Sequence, residues 1–183
     1  MSILKVNTIQ DKGGNAIISS DGAGTVTVNN DALKATPSFE AYNNANQTVS
    51  DNTHTKLQFN TEVYDTDGCY DNSTNYRFTP TVAGKYFVYA SGQAETEASQ
   101  LQFTQISIYK NGSQYAQRNI DFRSNNGLQV SANISAIVDM NGSSDYVEIY
   151  GKIFKGGGST IRFKADSTSE KSMQFGAYRI IGA

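Results

Sequence analysis

In the stretch Lys85-Tyr86-Phe87-Val88-Tyr89-Ala90, both alternating faces of an extended chain are apolar or aromatic. Tyr86, Val88 and Ala90 share one face, Phe87 and Tyr89 the other. A strand on the surface of a sandwich turns one polar face to water. This strand therefore needs cover on both sides, and a neighbouring subunit is the natural second cover. Gly84 allows a tight turn into it, and Pro80 closes the preceding strand where no ladder donor is needed. Phe103, Ile106, Ile108 and Tyr109 repeat the pattern in a milder form. Phe87, Tyr89, Ile108 and Tyr178 are the residues expected at a subunit interface.

From Ser38 onward the chain reads as nearly unbroken β structure. Strands are expected at Phe39 to Asn43, Lys56 to Tyr64, Tyr76 to Thr79, Lys85 to Gly92 and Phe103 to Lys110. Further strands are expected at Gln114 to Asp121, Leu128 to Met140, Tyr146 to Phe154, Thr160 to Ala165 and Met173 to Ile180. Asn111-Gly112 separates two of these runs and is the strongest hairpin signal in the chain. Asn126-Gly127 and Asn141-Gly142 punctuate later strands in the same manner. Apolar residues do not recur at helical spacing in any 11-residue window. About ten short strands at this rhythm specify an all-β sandwich or barrel.

Residues 1 to 34 differ from the rest and form an N-terminal arm, with the head at 35 to 183. Three short β segments are expected there: Leu4 to Ile9, Ala16 to Ser19 and Thr25 to Asn29. Asp11-Lys12-Gly13-Gly14-Asn15 and Asp21-Gly22-Ala23-Gly24 are the turns between them. Three such strands bury little apolar area alone, so the arm should be stable only against something else. Leu4, Val6, Ile9, Ile17, Val26 and Val28 are its expected anchoring residues.

Composition narrows the function classes. Asn, Ser and Thr together outnumber the charged residues, which make up 17%. A net charge of −2 provides no field for a phosphate backbone, so a nucleic-acid partner is not expected. No run approaches the roughly 20 apolar residues that cross a bilayer, and Met1-Ser2-Ile3-Leu4-Lys5 lacks a secretory leader's apolar core. No membrane partner is expected, and a place outside the cell would be reached as part of something larger.

Candidate chemistry is sparse. Cys69 is the single cysteine, so neither an intrachain disulfide nor a thiolate metal site follows, and a small turn residue is expected there. Asp65, Asp67 and Asp71 have a spacing that suits Ca²⁺, but the EF-hand pattern fails because Tyr76 stands where Glu is needed. His54, the single histidine, lies in a polar loop and makes a poor general base. Gly156-Gly157-Gly158 precedes no helix and so lacks a phosphate cradle. Glu62, Glu95, Glu97 and Asp121 show no pattern that favours glycoside cleavage over solvated positions. No catalytic residue, cofactor or metal is assigned, and an enzyme is not expected.

The stretch DGCYDNSTNYRFTPTVAGKYFVYA, Asp67 to Ala90, resembles the complement globular-head and tumour-necrosis-factor jelly-roll family. Tyr70-Asp71, Thr74 and Phe78-Thr79-Pro80 resemble the family's turn into its corner strand, and Gly84-Lys85-Tyr86-Phe87-Val88 its central strand. Phe39, Lys110-Asn111-Gly112 and Phe175-Gly176-Ala177-Tyr178 extend the likeness over residues 38 to 183. Gly142-Ser143-Ser144-Asp145 departs from the usual Gly-Asp by two inserted residues, and Asn75 replaces a usual Gly. The resemblance implies a jelly-roll sandwich that assembles as a homotrimer.

The opening Met1-Ser2-Ile3-Leu4-Lys5-Val6-Asn7-Thr8-Ile9-Gln10-Asp11 through Asn15, with Ser19-Ser20-Asp21-Gly22, resembles the starts of virion proteins of marine tailed bacteriophages. The two resemblances together lead to an expected role as a phage virion structural protein. The protein would be a trimeric capsid decoration, cement or head-fibre protein, its arm bound to the major capsid protein or another virion protein. The alternative is a short tail-fibre or receptor-binding protein that recognises host surface glycans or proteins through loops such as Ser91 to Gln100 and Phe154 to Ser159. Its location would be the capsid surface of the virion, or the tail.

Overall fold

The computed structural model describes residues 6–29, 34–165 and 171–182. Among them sixteen strands form three antiparallel sheets, and no helix is present. The first sheet belongs to the arm: β1 (Thr8–Gln10), β2 (Ala16–Ser20) and β3 (Val26–Val28), in that order. Its two turns are closed by aspartates. Asp11 Oδ1 accepts the Gly13 and Asn15 amides at 2.8 and 2.9 Å, and Asp21 Oδ1 accepts those of Ala23 and Thr25 at 2.7 and 3.1 Å. The Leu4 and Lys5 positions of the expected first strand lie outside the described residues, and pairing starts at Thr8.

The head is a sandwich of a seven-stranded and a six-stranded sheet. The larger contains β4 (Ser38–Tyr42), β5 (Gln47–Thr48), β7 (Thr61–Asp65), β10 (Gly84–Thr96), β13 (Gln129–Met140), β15 (Ile161–Phe163) and β16 (Gln174–Arg179). The smaller contains β6 (Thr55–Lys56), β8 (Tyr70–Asp71), β9 (Arg77–Phe78), β11 (Leu101–Lys110), β12 (Ser113–Asp121) and β14 (Val147–Lys155). At its centre β10 pairs along its whole length with β13 and, on its other side, first with β16 and then with β15. β16 continues the larger sheet to β4 and then β7.

Two expectations need correction. The run Lys56 to Tyr64 is not one strand: β6 pairs with β14 in the smaller sheet, while β7 pairs with β4 in the larger. The four residues between them cross the sandwich, and Leu57 and Phe59 are fully buried as they pass. Burying two large apolar side chains on the crossover outweighs ladder continuity, which is why the apolar pattern resembles a strand. The stretch Gln93 to Thr96, expected within a loop, continues β10, paired with β13 and, from Ala94, with β15 on the other side.

The core lies between the sheets. Phe39 stacks on Tyr70 at 4.4 Å and on Phe78 at 4.7 Å, and meets Phe175 edge-on at 4.8 Å. Each such pair contributes about 0.5–1.5 kcal/mol beyond area burial. Tyr70 is kept satisfied by donating its hydroxyl to the Phe59 carbonyl at 2.9 Å. Asn111 and Gly112 both take positive φ, 51° and 77°, and join β11 to β12 in the tight hairpin that the dipeptide specifies. One carboxylate, Glu148, is buried in the smaller sheet and held by Lys56 at 2.6 Å and Arg77 at 2.8 Å. Two cations around one buried carboxylate satisfy the demand that a desolvated charge be paired.

Candidate functional site

Register on β10 determines what the head shows to solvent. Tyr86, Val88 and Ala90 turn inward and are buried, which sends Phe87, Tyr89 and Ser91 to the outer face. The ladder then aligns Ile137, Phe87 and Tyr178 in one row across β13, β10 and β16. The next row holds Ser135, Tyr89, Gly176, Glu40 and Tyr64, and the one after it Asn133, Ser91, Gln174 and Tyr42. Phe87 and Tyr178 lie 5.4 Å apart between ring centroids, and Phe87 and Tyr89 6.2 Å apart. Ile137 is 54% exposed, while Tyr178 and Tyr64 are each 43% exposed. These side chains form a contiguous aromatic and aliphatic ridge on the open face of the larger sheet.

Polar groups on this face are largely paired with one another. The Tyr89 hydroxyl donates to Glu40 Oε2 at 2.8 Å, and Lys171 Nζ lies 3.9 Å from Glu40 Oε1. Burial, followed by the Glu40 hydrogen bond, pushes the Tyr89 phenol far above its ordinary value, so it stays a donor. At one end Lys85 and Asp139 pair at 2.8 Å. Beside the ridge runs a groove of about 400 Å³ lined by Tyr89, Ser91, Arg118, Asn133, Ser135 and Gln174. An apolar ridge flanked by paired polar groups suits close packing against another protein surface.

Three of the four interface residues expected from sequence, Phe87, Tyr89 and Tyr178, therefore come together. Ile108 does not: it sits on β11 of the other sheet, turned inward and fully buried, so it belongs to the core. Ile106 is buried in the same way, and the alternation on that strand is core packing. Ile137 was missed, although its signal exists in the sequence. In Gln129–Met140 it is the single apolar residue among Ser131, Asn133, Ser135 and Asp139 on the outward phase.

The arm carries a second face. Its ladders align Ile9 with Ile18 and Ile18 with Val28, and Val26 lies two residues from Val28 on the same side. Ile9 and Val26 are exposed, and so is Val6 ahead of the first strand. Ile17 falls on the opposite face with Thr8 and Thr27, and Ile18 stands in the apolar row in its place. Leu4 lies outside the described residues.

The remaining candidates are accounted for locally. The Asp71 carboxylate accepts the amides of Ser73, Thr74 and Asn75 at 2.9 to 3.0 Å, which holds it well below the usual carboxylate range. Asp65 accepts the Tyr70 amide at 2.8 Å. These oxygens face their own loop, and among the described residues no group of three or more His, Cys, Asp or Glu is placed to hold a metal. Cys69 is buried, and burial pushes its thiol up. His54 Nδ1 lies 3.4 Å from the Tyr109 hydroxyl at the surface. Glu95 is paired with Arg162 at 2.6 Å, and Asp121 is paired with Arg123.

Comparison with known proteins places the fold. No family model matches the sequence. Over 117 residues, 62% of the chain, it is 32% identical to the uncharacterized protein YqcC of Bacillus subtilis (strain 168). The match covers 31% of that protein, so the chain spans about a third of its length. The globular domain of zebrafish complement 1qA protein superposes with a TM-score of 0.53 at 14% identity, over 79% of this chain and 97% of that one. The head is a jelly roll. The Eiger TNF of S. frugiperda agrees, with a TM-score of 0.53 at 10% identity over 80% of this chain and 93% of its own.

Proposed function

We propose that this chain is a virion structural protein of a tailed bacteriophage. In this reading a homotrimer of jelly-roll heads is fastened to the capsid by its N-terminal arms as a decoration or head-fibre protein. The observation that carries the proposal is the arm: among the described residues its three strands pair only with one another, with the apolar row Ile9, Ile18, Val26 and Val28 on one face. A three-stranded sheet this short needs an external surface to cover that row. The resemblance of the opening residues to marine phage virion proteins supplies the kind of surface, a capsid subunit. Short strands can join such a partner by strand addition, and three arms acting together raise the effective concentration.

Trimer formation rests on the ridge around Phe87. One face of the larger sheet repeats in every copy, and a ring of heads closes when each ridge packs against its neighbour. The number three follows from the resemblance to complement and tumour-necrosis-factor heads.

Gold-labelled antibody against this protein on intact virions tests the location. Label spread over the capsid supports decoration, label confined to the tail replaces it with a tail-fibre role, and unlabelled particles overturn the virion reading. Removing residues 1–34 should leave a folded head that no longer joins the particle. Normal incorporation of that shortened protein would overturn the anchor role of the arm.

A further inference from the structure

We propose that the outer face of the smaller sheet binds a single carboxylated sugar ring, seated between Phe103 and Phe154 with its carboxylate on Lys152. A cleft of about 200 Å³ opens there, lined by Asn52, Phe103, Arg123, Lys152 and Phe154. It lies on the sheet opposite the ridge around Phe87.

The cleft is built on regular backbone. Phe103 on β11 and Phe154 on β14 are register partners, and Lys152 projects from the same face of β14 two residues earlier. The Lys152 ammonium stands 5.9 Å from the centre of the Phe103 ring. Asn52 is held over β14 with φ of 52°, its amide donating to the Ile153 carbonyl at 2.8 Å. Beside it the Lys155 amide donates to Asp51 Oδ1 at 3.1 Å, which ties the same loop to the same strand.

Charge decides what the cleft prefers. Arg123 is engaged by Asp121, with Nε 3.0 Å from each carboxylate oxygen, so that pair is neutral overall. Among the described residues no carboxylate pairs with Lys152. His54 nearby is held below its ordinary value by burial and then by the Lys152 charge, so at neutral pH it adds no second cation. One unpaired positive charge remains beside two aromatic rings.

Size and shape narrow the ligand class. The cleft is smaller than the roughly 300–1,000 Å³ of sites for drug-sized molecules, so it admits about one ring. A pyranose places its apolar C–H face on an aromatic ring and its hydroxyls towards the Asn52 side-chain amide and the N–H groups of Arg123 not taken by Asp121. A carboxylate on that ring makes a charge-assisted hydrogen bond to Lys152, stronger than a neutral sugar can offer. A hexuronate unit of a surface polysaccharide has this combination of groups.

The test is titration of the full-length protein with a glucuronate-terminated disaccharide and with its neutral glucose counterpart. Calorimetry gives the affinity, and NMR follows the phenylalanine rings. The acidic sugar should saturate and bind at least about tenfold more tightly than the neutral one, a difference of roughly 1.4 kcal/mol. Lys152→Gln and Phe103→Ala should each weaken it by about the same factor, while sedimentation and circular dichroism stay unchanged. Equal binding of the two sugars, affinity that survives Lys152→Gln, or no saturable binding at millimolar concentration would each overturn the proposal.

Discussion

Tyr89 lies directly across Gly176. A Cβ added at that glycine would stand 2.3 Å from the Tyr89 hydroxyl oxygen. The phenol on β10 thus passes over β16 and reaches Glu40 on β4, bridging three strands through one side chain. The glycine is required here for close approach, since its φ falls outside the left-handed region.

Gly176→Ala should displace the Tyr89 ring and break its hydrogen bond to Glu40. The expected cost is about 1–3 kcal/mol, from crowding together with a lost charge-assisted hydrogen bond. In a Tyr89→Ala background the same substitution should cost almost nothing. A thermodynamic cycle measured by urea denaturation reads this coupling, and additive effects would show that the crossing of Tyr89 over Gly176 contributes no stability.

Phe87→Asp places a carboxylate in the middle of the ridge, between Ile137 and Tyr178. Its inward neighbours Tyr86 and Val88 are untouched, so the head should still fold. Sedimentation equilibrium should show monomers in place of the proposed trimer, because an unpaired charge at an interface core is costly to desolvate. A trimer that survives the substitution would remove the ridge from the assembly.

Gly151 of β14 tests the core. A Cβ there would meet Phe163 of the opposite sheet at 2.3 Å and Leu57 at 3.0 Å. Gly151→Ala should therefore destabilise the head by about 1–3 kcal/mol through overpacking. Adding Phe163→Leu should recover part of that loss in a thermal melt, whereas Phe163→Leu alone should destabilise.

Acid should weaken the Asp71 loop only once its depressed carboxylate begins to take up a proton. The native pKa of this carboxylate is depressed by backbone amides, so its stabilising contribution is fully present above the unfolded value near 4. That contribution is lost as pH falls from about 4 towards the lower native value. Asp71→Asn should lower the melting temperature at pH 7 and flatten the decline between pH 5 and pH 2. An unchanged acid profile would show that the loop does not need the charge.

Much of the fold was legible from local pattern. The Asn111-Gly112 turn, the alternation of Gln129–Met140 and the two-sided strand around Phe87 each follow from backbone geometry or from period-2 burial. The turn residues marked out the three short strands near the start of the chain. What pattern could not show was which sheet a segment joins. The Lys56 to Tyr64 run satisfies a strand template, yet it changes sheets midway because Leu57 and Phe59 fill the space between them. Ile108 and Phe87 look equally apolar in sequence, and register alone sends one to the core and the other outward.

The sequence by itself determined an all-β chain, its tight turns and a strand that wants cover on both faces, because these depend on each residue and its near neighbours. The tertiary structure decided which apolar rows stay open: Ile137–Phe87–Tyr178 on the head, Ile9–Ile18–Val28 on the arm, and the cleft at Phe103 and Phe154. Those rows arise across strands distant in sequence, so only ladder register, fixed by burial of the opposite face, could assemble them.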